Sequence, residues 1–528
     1  MTILERIQSI ISELTTGVYE KDTEIGLSLL SAIASESVLL LGPPGVAKSM
    51  IARRISQAFN GASSFEYLMS RFSTPDEIFG PVSIRRMKET DSYQRNTEGY
   101  MPTADIAFLD EIWKAGPSIL NTLLTIINEK TFRNGTEEVA VPLKLLIGAS
   151  NELPASGEGL EALWDRFLVR IVSKNVTDEK NFYHIICDEN EKKQEPGLKK
   201  ALQITAKEYA AWQKQIASIG IASEVLTAVT AIRKQLSALQ VPVADGAETT
   251  FHSRNVYVSD RRWKHIFHLL RTSAFVHGRT EVTVADLPLI THCLWQETDE
   301  IEPIRQLVLR SVFTSIDSAI RELSAAISVE RKRKLAANAI AKAQSEGYRR
   351  DDDKQLFNGY YYQVDNYGTG NTYIFFVDYR NLRDFSTLHS PTEALIYPDP
   401  KNPKRSIIRT LADSLADPLH KNNVAAMKIK LYRDDSHLFI NGVKYPIHRL
   451  APGQVQPPIT GGPAKSSDID FADEIEKTTS FLRQFTGAIN SNIFVTGADR
   501  AETDALRKTI ERSIALIRLE LQKLDYEE

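Results

Sequence analysis

The chain has 528 residues, a length that accommodates roughly three or four domains of ordinary size. Hydrophobic residues make up 42% of it and charged residues 25%, which is ordinary for a globular protein and excludes general disorder or a fibrous protein. The formal charge of −4 excludes an overall positive field that would attract nucleic acid or an anionic membrane.

Cysteine usage and the N-terminus indicate the compartment. Cys187 and Cys293 are too few for a disulfide framework and lack the paired spacing of a zinc site. The first residues, MTILERIQ, do not resemble a signal peptide, and the sequence has no run of about 20 apolar residues. We therefore expect a soluble, cytoplasmic protein without stable membrane insertion.

Short apolar runs alternate with helical stretches in the first part of the chain. These runs are residues 37–41, 106–109, 143–149 and 167–172. Continuous apolar runs are typical of strands that are buried on both faces. Strands that alternate with helices predict an α/β fold, in which a parallel sheet is covered by helices on both faces.

Strand patterns mostly disappear between residues 178 and 350. Trp263, Ile266, Phe267 and Leu270 are examples of apolar residues that recur there at helical spacing. We therefore predict that this region is all-helical.

Aromatic and β-branched residues then become frequent. Residues 360–364, 373–377 and 427–432 read YYYQV, YIFFV and MKIKLY, and this enrichment favours strands. The dipeptide Asn441-Gly442 favours a tight hairpin turn. We predict a small β-rich domain.

Helical spacing returns near the C-terminus, after a stretch of Pro, Gly and Ser without periodicity that is typical of a linker. Apolar residues three or four apart form one stripe, made of Leu506, Ile510, Ile514, Ile517, Leu521 and Leu524. Such a stripe has to be buried, and we expect it to pack on the helices that precede the β-rich domain.

These patterns divide the chain into six segments. They are an α/β core over residues 1–190, an all-α lid over 191–300, a helical segment over 301–355, the β-rich domain over 356–450, the linker over 451–468 and a C-terminal helical segment over 469–528.

The first candidate site is a loop between a predicted strand and a predicted helix. Residues 42–49 read Gly-Pro-Pro-Gly-Val-Ala-Lys-Ser. Gly42 and Gly45 would let backbone N–H groups turn toward an anion at the positive end of the helix. Lys48 would reach the β- and γ-phosphates of ATP, and the hydroxyl of Ser49 would bind Mg²⁺.

Ala47 stands where the strict phosphate-loop pattern has glycine. Alanine fits there if its backbone already has helical φ and ψ. The residues predicted to contact the nucleotide or its metal are Gly42, Pro43, Pro44, Gly45, Val46, Ala47, Lys48, Ser49, Met50 and Asp110.

Polar side chains follow two further predicted strands. Asp110 and Glu111 directly follow the predicted strand at residues 106–109. One carboxylate could enter the metal shell, and the other could orient or deprotonate water. Asn151 follows the next strand, where its amide could lie between these carboxylates and the γ-phosphate.

Arginines complete the candidate set. Arg166 and Arg261 could neutralise charge that develops on the transferred phosphoryl group. Arg170 and Arg262 are close enough in sequence to exchange roles with them.

This order of motifs resembles that of an AAA+ ATPase, and the intervening residues narrow the resemblance. Residues 65–82 and 99–102 look like the helix-2 insert region of the MoxR family, in which alanine before the lysine is usual. Residues 108–117 (FLDEIWKAGP), 121–129 (NTLLTIINE) and the hairpin sequence 132–135 (FRNG) resemble the RavA subgroup. The specific resemblance covers about residues 20–300. Beyond it, the segments follow the RavA layout, in which a discontinuous helical domain carries a small β domain.

The resemblance implies a role for each matched residue. Lys48 and Ser49 would bind phosphate and Mg²⁺, and Asp110 would bind Mg²⁺. The remaining roles are those of catalytic base for Glu111, sensor 1 for Asn151, arginine finger for Arg166 and sensor 2 for Arg261. A finger that acts on a neighbouring subunit implies a hexameric ring.

The family also implies partners. A von Willebrand factor A domain protein is the expected partner of a chaperone-like remodelling ATPase, and the β-rich domain would bind a protein client. Three alternatives remain open: a motor subunit of the magnesium-chelatase type, a nucleic-acid motor, and a nucleotide-gated assembly scaffold. The long C-terminal extension argues against the first, and the net charge and lack of a zinc motif argue against the second.

Overall fold

The computed structural model of the chain describes residues 1–90, 92–155, 159–187, 197–245, 248–345, 354–357, 360–387, 390–399, 402–411, 426–450 and 470–526. The chain divides into two units, one formed by Met1–Arg321 with Glu476–Ala515 and the other by Glu322–Ile475 with Leu516–Glu528. The predicted linker, residues 451–468, lies outside the described residues.

The first unit is built around a parallel sheet. Its described strands are β1 (Val38–Leu41), β2 (Ser64–Leu68), β3 (Ile106–Asp110), β4 (Thr131–Asn134), β5 (Glu137–Ala140), β6 (Leu145–Ser150), β7 (Val169–Val172), β8 (Gly220–Ile221), β9 (Leu239–Asp245), β10 (Glu248–Arg254) and β11 (Glu281–Val282). The sheet has the order β2-β3-β6-β1-β7, and every neighbouring pair is parallel. The predicted α/β core is therefore confirmed.

Helices surround this sheet and continue beyond it. Those in the first unit are α1 (Ile3–Thr15), α2 (Asp22–Ala34), α3 (Lys48–Gln57), α4 (Pro75–Phe79), α5 (Ile84–Thr90), α6 (Pro117–Glu129), α7 (Glu161–Arg166), α8 (Glu179–Cys187), α9 (Ala206–Ala217), α10 (Ser223–Leu236), α11 (Asp260–Val276), α12 (Thr291–Leu294) and α13 (Ile301–Val312). Short 3₁₀ helices span Met101–Thr103, Ile112–Lys114, Val284–Ile290 and Thr298–Glu300.

The parallel sheet places the candidate site residues at two opposite edges. Strands β1 and β6 are buried along their whole length, as their continuous apolar runs predict. In parallel strands all carboxyl ends lie at one edge, so the residues after β1, β3 and β6 meet there. The residues before β1 and β7 meet at the opposite edge.

The lid region is not all-helical, and that prediction was wrong. Strands β9 and β10 pair in an antiparallel hairpin over seven residues each, and β8 pairs with β11 in parallel. The reason lies in the period of the apolar residues: Leu239 and Val241 are buried, and Gln240 between them is exposed. This alternation is that of a strand, and it is too short to stand out within a helical region.

The second unit contains a curled sheet. Its described strands are β12 (Leu356–Phe357), β13 (Tyr361–Val364), β14 (Asn371–Phe375), β15 (Thr392–Asp399), β16 (Asn402–Thr410), β17 (Met427–Arg433), β18 (His437–Ile440) and β19 (Val443–Pro446), with the short helix α15 (Phe376–Asn381). Val364 bridges to Ile447, which brings the two ends of the sheet together around a buried apolar core. The β-rich prediction is confirmed.

The tight turn is also confirmed. Asn441 and Gly442 connect β18 and β19 with φ of 52° and 86°, the positive values that such a hairpin turn requires at both positions. The remaining long helices are α14 (Thr314–Ser345), α16 (Phe471–Ser491) and α17 (Gly497–Tyr526). Among the helices that the structure describes, none is long and apolar enough to cross a membrane.

Candidate active site

The loop after β1 has the backbone geometry of an anion cradle. Gly45 and Ala47 have positive φ, of 84° and 63°. A Cβ atom at Gly42 would lie 2.2 Å from the carbonyl oxygen of Ser173, so only glycine fits there. The interpretation of Ala47 was wrong in one respect: its backbone is left-handed, which costs a non-glycine residue about 1–2 kcal/mol. Such strain is typical of functional sites.

Lys48 begins α3 and is buried beneath this loop. Its Nζ atom donates to the carbonyl oxygen of Gly42, lies 3.4 Å from that of Ser150, and donates to Oδ1 of Asn151 at 2.7 Å. Burial lowers the pKa of the Lys48 ammonium below its usual value, and the charges of Asp110 and Glu111 partly offset this. The two carboxylates therefore share one electrostatic environment with the lysine.

The remaining loop residues frame the lysine. Pro43, Pro44 and Gly45 are exposed, Val46 is buried, and Met50 is 38% exposed on the first turn of α3. Because proline has no backbone N–H group, Gly45 is the residue of this exposed stretch that can offer one to a ligand.

Asn151 connects the ends of two neighbouring strands. Its Nδ2 atom donates to Oε1 of Glu111 at 2.7 Å, while its Oδ1 atom accepts from Lys48. Glu111 has a left-handed backbone with φ of 51° and lies 3.4 Å from Nζ of Lys114. The strands β3 and β6 are adjacent in the sheet, which explains why these polar residues meet.

The oxygen ligands at this edge suit a metal that also binds phosphate. Among the described residues, no group of three or more His, Cys, Asp or Glu side chains could hold a metal ion by itself. Ser49 and Asp110 would supply a hydroxyl and a carboxylate, and Mg²⁺ usually completes such a shell with phosphate oxygens and water. The residues present therefore fit Mg²⁺ bound together with a nucleotide.

Two arginines lie at the opposite edge of the sheet. Arg166 ends α7, just before β7, and Arg261 lies on the first turn of α11. Both line a cavity of about 80 Å³ together with Glu36, which precedes β1, and His265. Oε1 of Glu36 and Nδ1 of His265 are hydrogen-bonded at 2.9 Å.

The Arg166 guanidinium is only partly satisfied by its own chain. Its Nη1 atom lies 3.3 Å from Oδ2 of Asp165, and within the described residues its buried Nε atom has no hydrogen-bond partner. Burial lowers the pKa of Arg166 below its usual value, and the positive charge of Arg261 lowers it further. A negatively charged group from outside the chain would relieve both effects.

Arg170 and Arg262 have a different environment. They are 0% and 2% exposed. Arg170 donates to the carbonyl oxygens of Trp164, Phe167 and Trp295. Its guanidinium lies 4.0 Å from the centroid of the Trp164 ring.

Arg262, on the lid helix α11, binds backbone carbonyl oxygens of the same segment. It donates to the carbonyl oxygens of Asp165, Phe167, Leu168 and Cys293. The backbone around Arg166 is therefore held on one side by two guanidiniums that are too deeply buried to meet a phosphate.

Sequence reasoning missed a cavity of about 630 Å³. It is lined by Val172 and Lys174, on either side of Ser173, whose carbonyl oxygen leaves no room for a Cβ atom at Gly42. Its further lining includes His292 and Arg305. No sequence signal could reveal it, because its walls come from segments more than a hundred residues apart.

Two family models match the chain. One, described as the MoxR domain in the MoxR-vWA-beta-propeller ternary systems, matches residues 5–213. The other, described as an AAA lid domain, matches residues 224–308. Together they cover the sheet, the phosphate loop and the region that carries Arg261.

The chain is also similar to three further proteins. Two are uncharacterised proteins of Methanocaldococcus jannaschii: one is 37% identical over 306 residues (58% of this chain and 74% of that protein), the other 37% identical over 298 residues (56% and 73%). A structural protein of Acidianus two-tailed virus is 31% identical over 157 residues, which are 29% of this chain and 25% of that protein. By its matched domains and its sheet order, the chain belongs to the MoxR family of AAA+ ATPases.

Proposed function

We propose that this protein hydrolyses ATP with Mg²⁺ at a site shared between two copies of the chain. The observation that carries the proposal is the position of Lys48 and Arg166 at opposite edges of the same sheet. Strand β1 has four residues, which at about 3.3 Å each separate the two edges by about 13 Å. An arginine at one edge therefore serves the phosphate site of a neighbour, not that of its own chain.

Each residue at the Lys48 edge has a role in this proposal. Lys48 exchanges its carbonyl partners for phosphate oxygens, and Ser49 and Asp110 hold the metal. Bound Mg²⁺ neutralises charge on the phosphates. Glu111 orients and deprotonates the attacking water, and Asn151 positions that water beside it.

Arg166 and Arg261 act as a pair on the neighbouring site. Arg166 is the arginine finger and Arg261 is sensor 2, and both neutralise charge on the transferred phosphoryl group. The burial and backbone contacts of Arg170 and Arg262 support this choice. Because Arg261 lies beside Arg166, we infer that both act in trans.

The nucleoside of ATP occupies the cavity beside Lys174. Its volume of about 630 Å³ suits a small-molecule site, and it adjoins the phosphate loop through Ser173. His292 and Arg305 contribute polar groups to its wall.

The finer assignment is also a proposal. We infer a hexameric ring of RavA-like subunits that remodels a protein client in the cytoplasm, with the β-rich domain as the client-binding part. A von Willebrand factor A domain protein is the proposed partner, which the description of the matching MoxR model supports.

Mixing two inactive variants tests the shared site. Glu111→Gln and Arg166→Ala should each lower ATP turnover by at least about 100-fold, because each removes a group that acts in the transition state. Mixed in equal amounts, the two proteins should regain measurable turnover. An Arg166→Ala protomer then supplies an intact Glu111 site, and a Glu111→Gln neighbour supplies Arg166.

A surface pair provides the matched controls. Arg507 and Glu511 form a partly exposed ion pair at 2.7 Å on α17, so Arg507→Ala and Glu511→Gln should leave turnover within about twofold of the unchanged protein. Failure of the mixture to regain activity, with both proteins folded and co-assembled, would contradict the shared site.

A further inference from the structure

Three tryptophans form a chain of ring contacts beside the arginine finger. The ring centroids of Trp113 and Trp164 are 6.0 Å apart, and those of Trp164 and Trp295 are 5.8 Å apart. Trp113 also meets the ring of Phe167 edge-on at 6.0 Å. Trp164 and Phe167 flank Arg166 in sequence, so Trp113 packs on both residues that bracket the finger.

At its other end, Trp113 is tied to the phosphate site of its own chain. It lies in the short helix that follows Glu111, and its Nε1 atom donates to the carbonyl oxygen of Glu152 at 3.1 Å. Glu152 follows Asn151, whose amide donates to Glu111. These bonds close a loop in which a shift of Glu111 or Asn151 toward a nucleotide also shifts Trp113.

Beyond Trp113, several contacts connect the segment around Arg166 to the lid. Arg170 stacks on Trp164 and donates to the carbonyl oxygens of Trp164 and Phe167, and Trp164 donates to Oε1 of Gln296. We expect the segment around Arg166 to move together with the lid residues that it contacts. Trp113 is a side chain by which the turn after β3 touches that segment.

We propose that Trp113 is a positioning residue, through which the occupancy of a protomer's own phosphate site sets the position of the Arg166 that it offers to its neighbour. This inference rests on the proposed function. Nucleotide bound at Lys48 would draw on Glu111 and Asn151, move the indole of Trp113 and shift Arg166 across the subunit boundary. One site would thereby regulate the next around the ring.

The mixed assembly described above tests this directly. In it, the Glu111→Gln protomer donates Arg166, and the Arg166→Ala protomer hydrolyses ATP. Glutamine at position 111 keeps the oxygen that accepts from Asn151, so the contacts of Trp113 are retained in the donor. Trp113→Leu placed in the donor should lower turnover about tenfold, in the range typical of coupling between sites. The same change in the Arg166→Ala protomer should have an effect at least fivefold smaller.

A conservative variant and a distant tryptophan serve as controls. Trp113→Phe in the donor removes the N–H group but keeps a ring, and should retain more activity than Trp113→Leu. Trp212 packs on Phe275, away from this chain of rings, and Trp212→Phe in the donor should leave turnover unchanged. Thermal unfolding midpoints check that each donor is folded.

Removing nucleotide from the donor separates regulation from simple support. A donor with Lys48→Ala cannot hold ATP, so adding Trp113→Leu to it should lower the turnover of the mixture no further. An equal loss in both donors, or a larger loss when Trp113→Leu is in the hydrolysing protomer, would overturn the inference and leave the shared site intact. If the mixture without a Trp113 change shows no turnover, the shared site fails and the inference fails with it.

Discussion

Arginines of similar sequence context have different environments in this protein. Arg166 and Arg261 are accessible at one cavity, whereas Arg170 and Arg262 are buried and donate to backbone carbonyl oxygens. Arg166 ends a helix and Arg170 lies on the strand that follows it, while Arg261 and Arg262 are adjacent on one helix and point in different directions. The sequence therefore identified the cluster of arginines but not the member that faces outward.

This difference predicts opposite effects on stability and activity. Arg170→Met should destabilise the protein by about 3 kcal/mol or more, because it leaves buried carbonyl oxygens without donors. Arg166→Met should change stability by no more than about 0.5 kcal/mol while abolishing turnover. Thermal unfolding and ATP turnover of the two variants check this; equal destabilisation by both would mean that Arg166 is a structural residue too.

Lys48 and its partners illustrate how a polar site is held ready. Its ammonium is bound to carbonyl oxygens of the loop and to Asn151. Each of these contacts can be replaced by a phosphate oxygen. The types of these residues followed from the sequence. Asn151 can accept from Lys48 and donate to Glu111 only because β6 lies between β1 and β3 in the sheet.

At the scale of elements, predictions from continuous apolar runs were correct and those from weak patterns were not. The strands β1, β3, β6 and β7 follow from their apolar runs. Strand β2 is the outermost strand on one side of the sheet. Its side chains alternate between exposed and half-buried, so its sequence has no continuous apolar run. The hairpin of β9 and β10 was missed for the related reason that its alternation is short.

The segment around Arg166 packs closely on the sheet at Gly148. A Cβ atom added at this residue of β6 would lie 2.5 Å from Cζ of Phe167, whose side chain is fully buried. We expect Gly148→Ala to destabilise the protein by about 1–3 kcal/mol through overpacking. Phe167→Leu in the same chain should recover part of this loss, which a double-mutant cycle in thermal unfolding would measure.

Gly26 offers a matched control for that substitution. It lies within α2, and a Cβ atom there would meet no other atom within 4 Å. Gly26→Ala should therefore be neutral or stabilise the protein by about 0.5–1 kcal/mol, as expected in a helix interior. Similar destabilisation by both alanine substitutions would contradict the packing argument.

At the scale of the whole molecule, the shared site that we propose requires more than one chain. Because the phosphate loop and the arginine pair lie at opposite edges of the sheet in one protomer, nucleotide should hold neighbouring protomers together. We predict that Glu111→Gln protein with Mg²⁺ and ATP forms a closed ring of six chains. Sedimentation velocity would detect the ring, which should be lost when every chain carries Lys48→Ala, because nucleotide then bridges no pair of subunits.

The arginine pair supplies a second test of this arrangement. Arg166→Ala combined with Arg261→Ala should weaken the ring formed by Glu111→Gln protein, since both side chains would contact the phosphates of a neighbour. Arg507→Ala, at the partly exposed ion pair on α17, should not weaken it. A ring that forms equally well in all these proteins, with or without nucleotide, would show that assembly does not depend on the shared site.

The sequence by itself determined the parallel sheet, the phosphate loop, the carboxylate pair, the β-rich unit and the MoxR resemblance. These features depend on local patterns: apolar runs, turn residues, and motifs whose members lie close together in the chain. Tertiary structure alone decided which arginines are accessible, where the large cavity lies and which rings Trp113 contacts next to Arg166. Those properties arise from contacts between residues tens to hundreds of positions apart. The order of the strands brings such residues together, and it cannot be inferred from the sequence of any single strand.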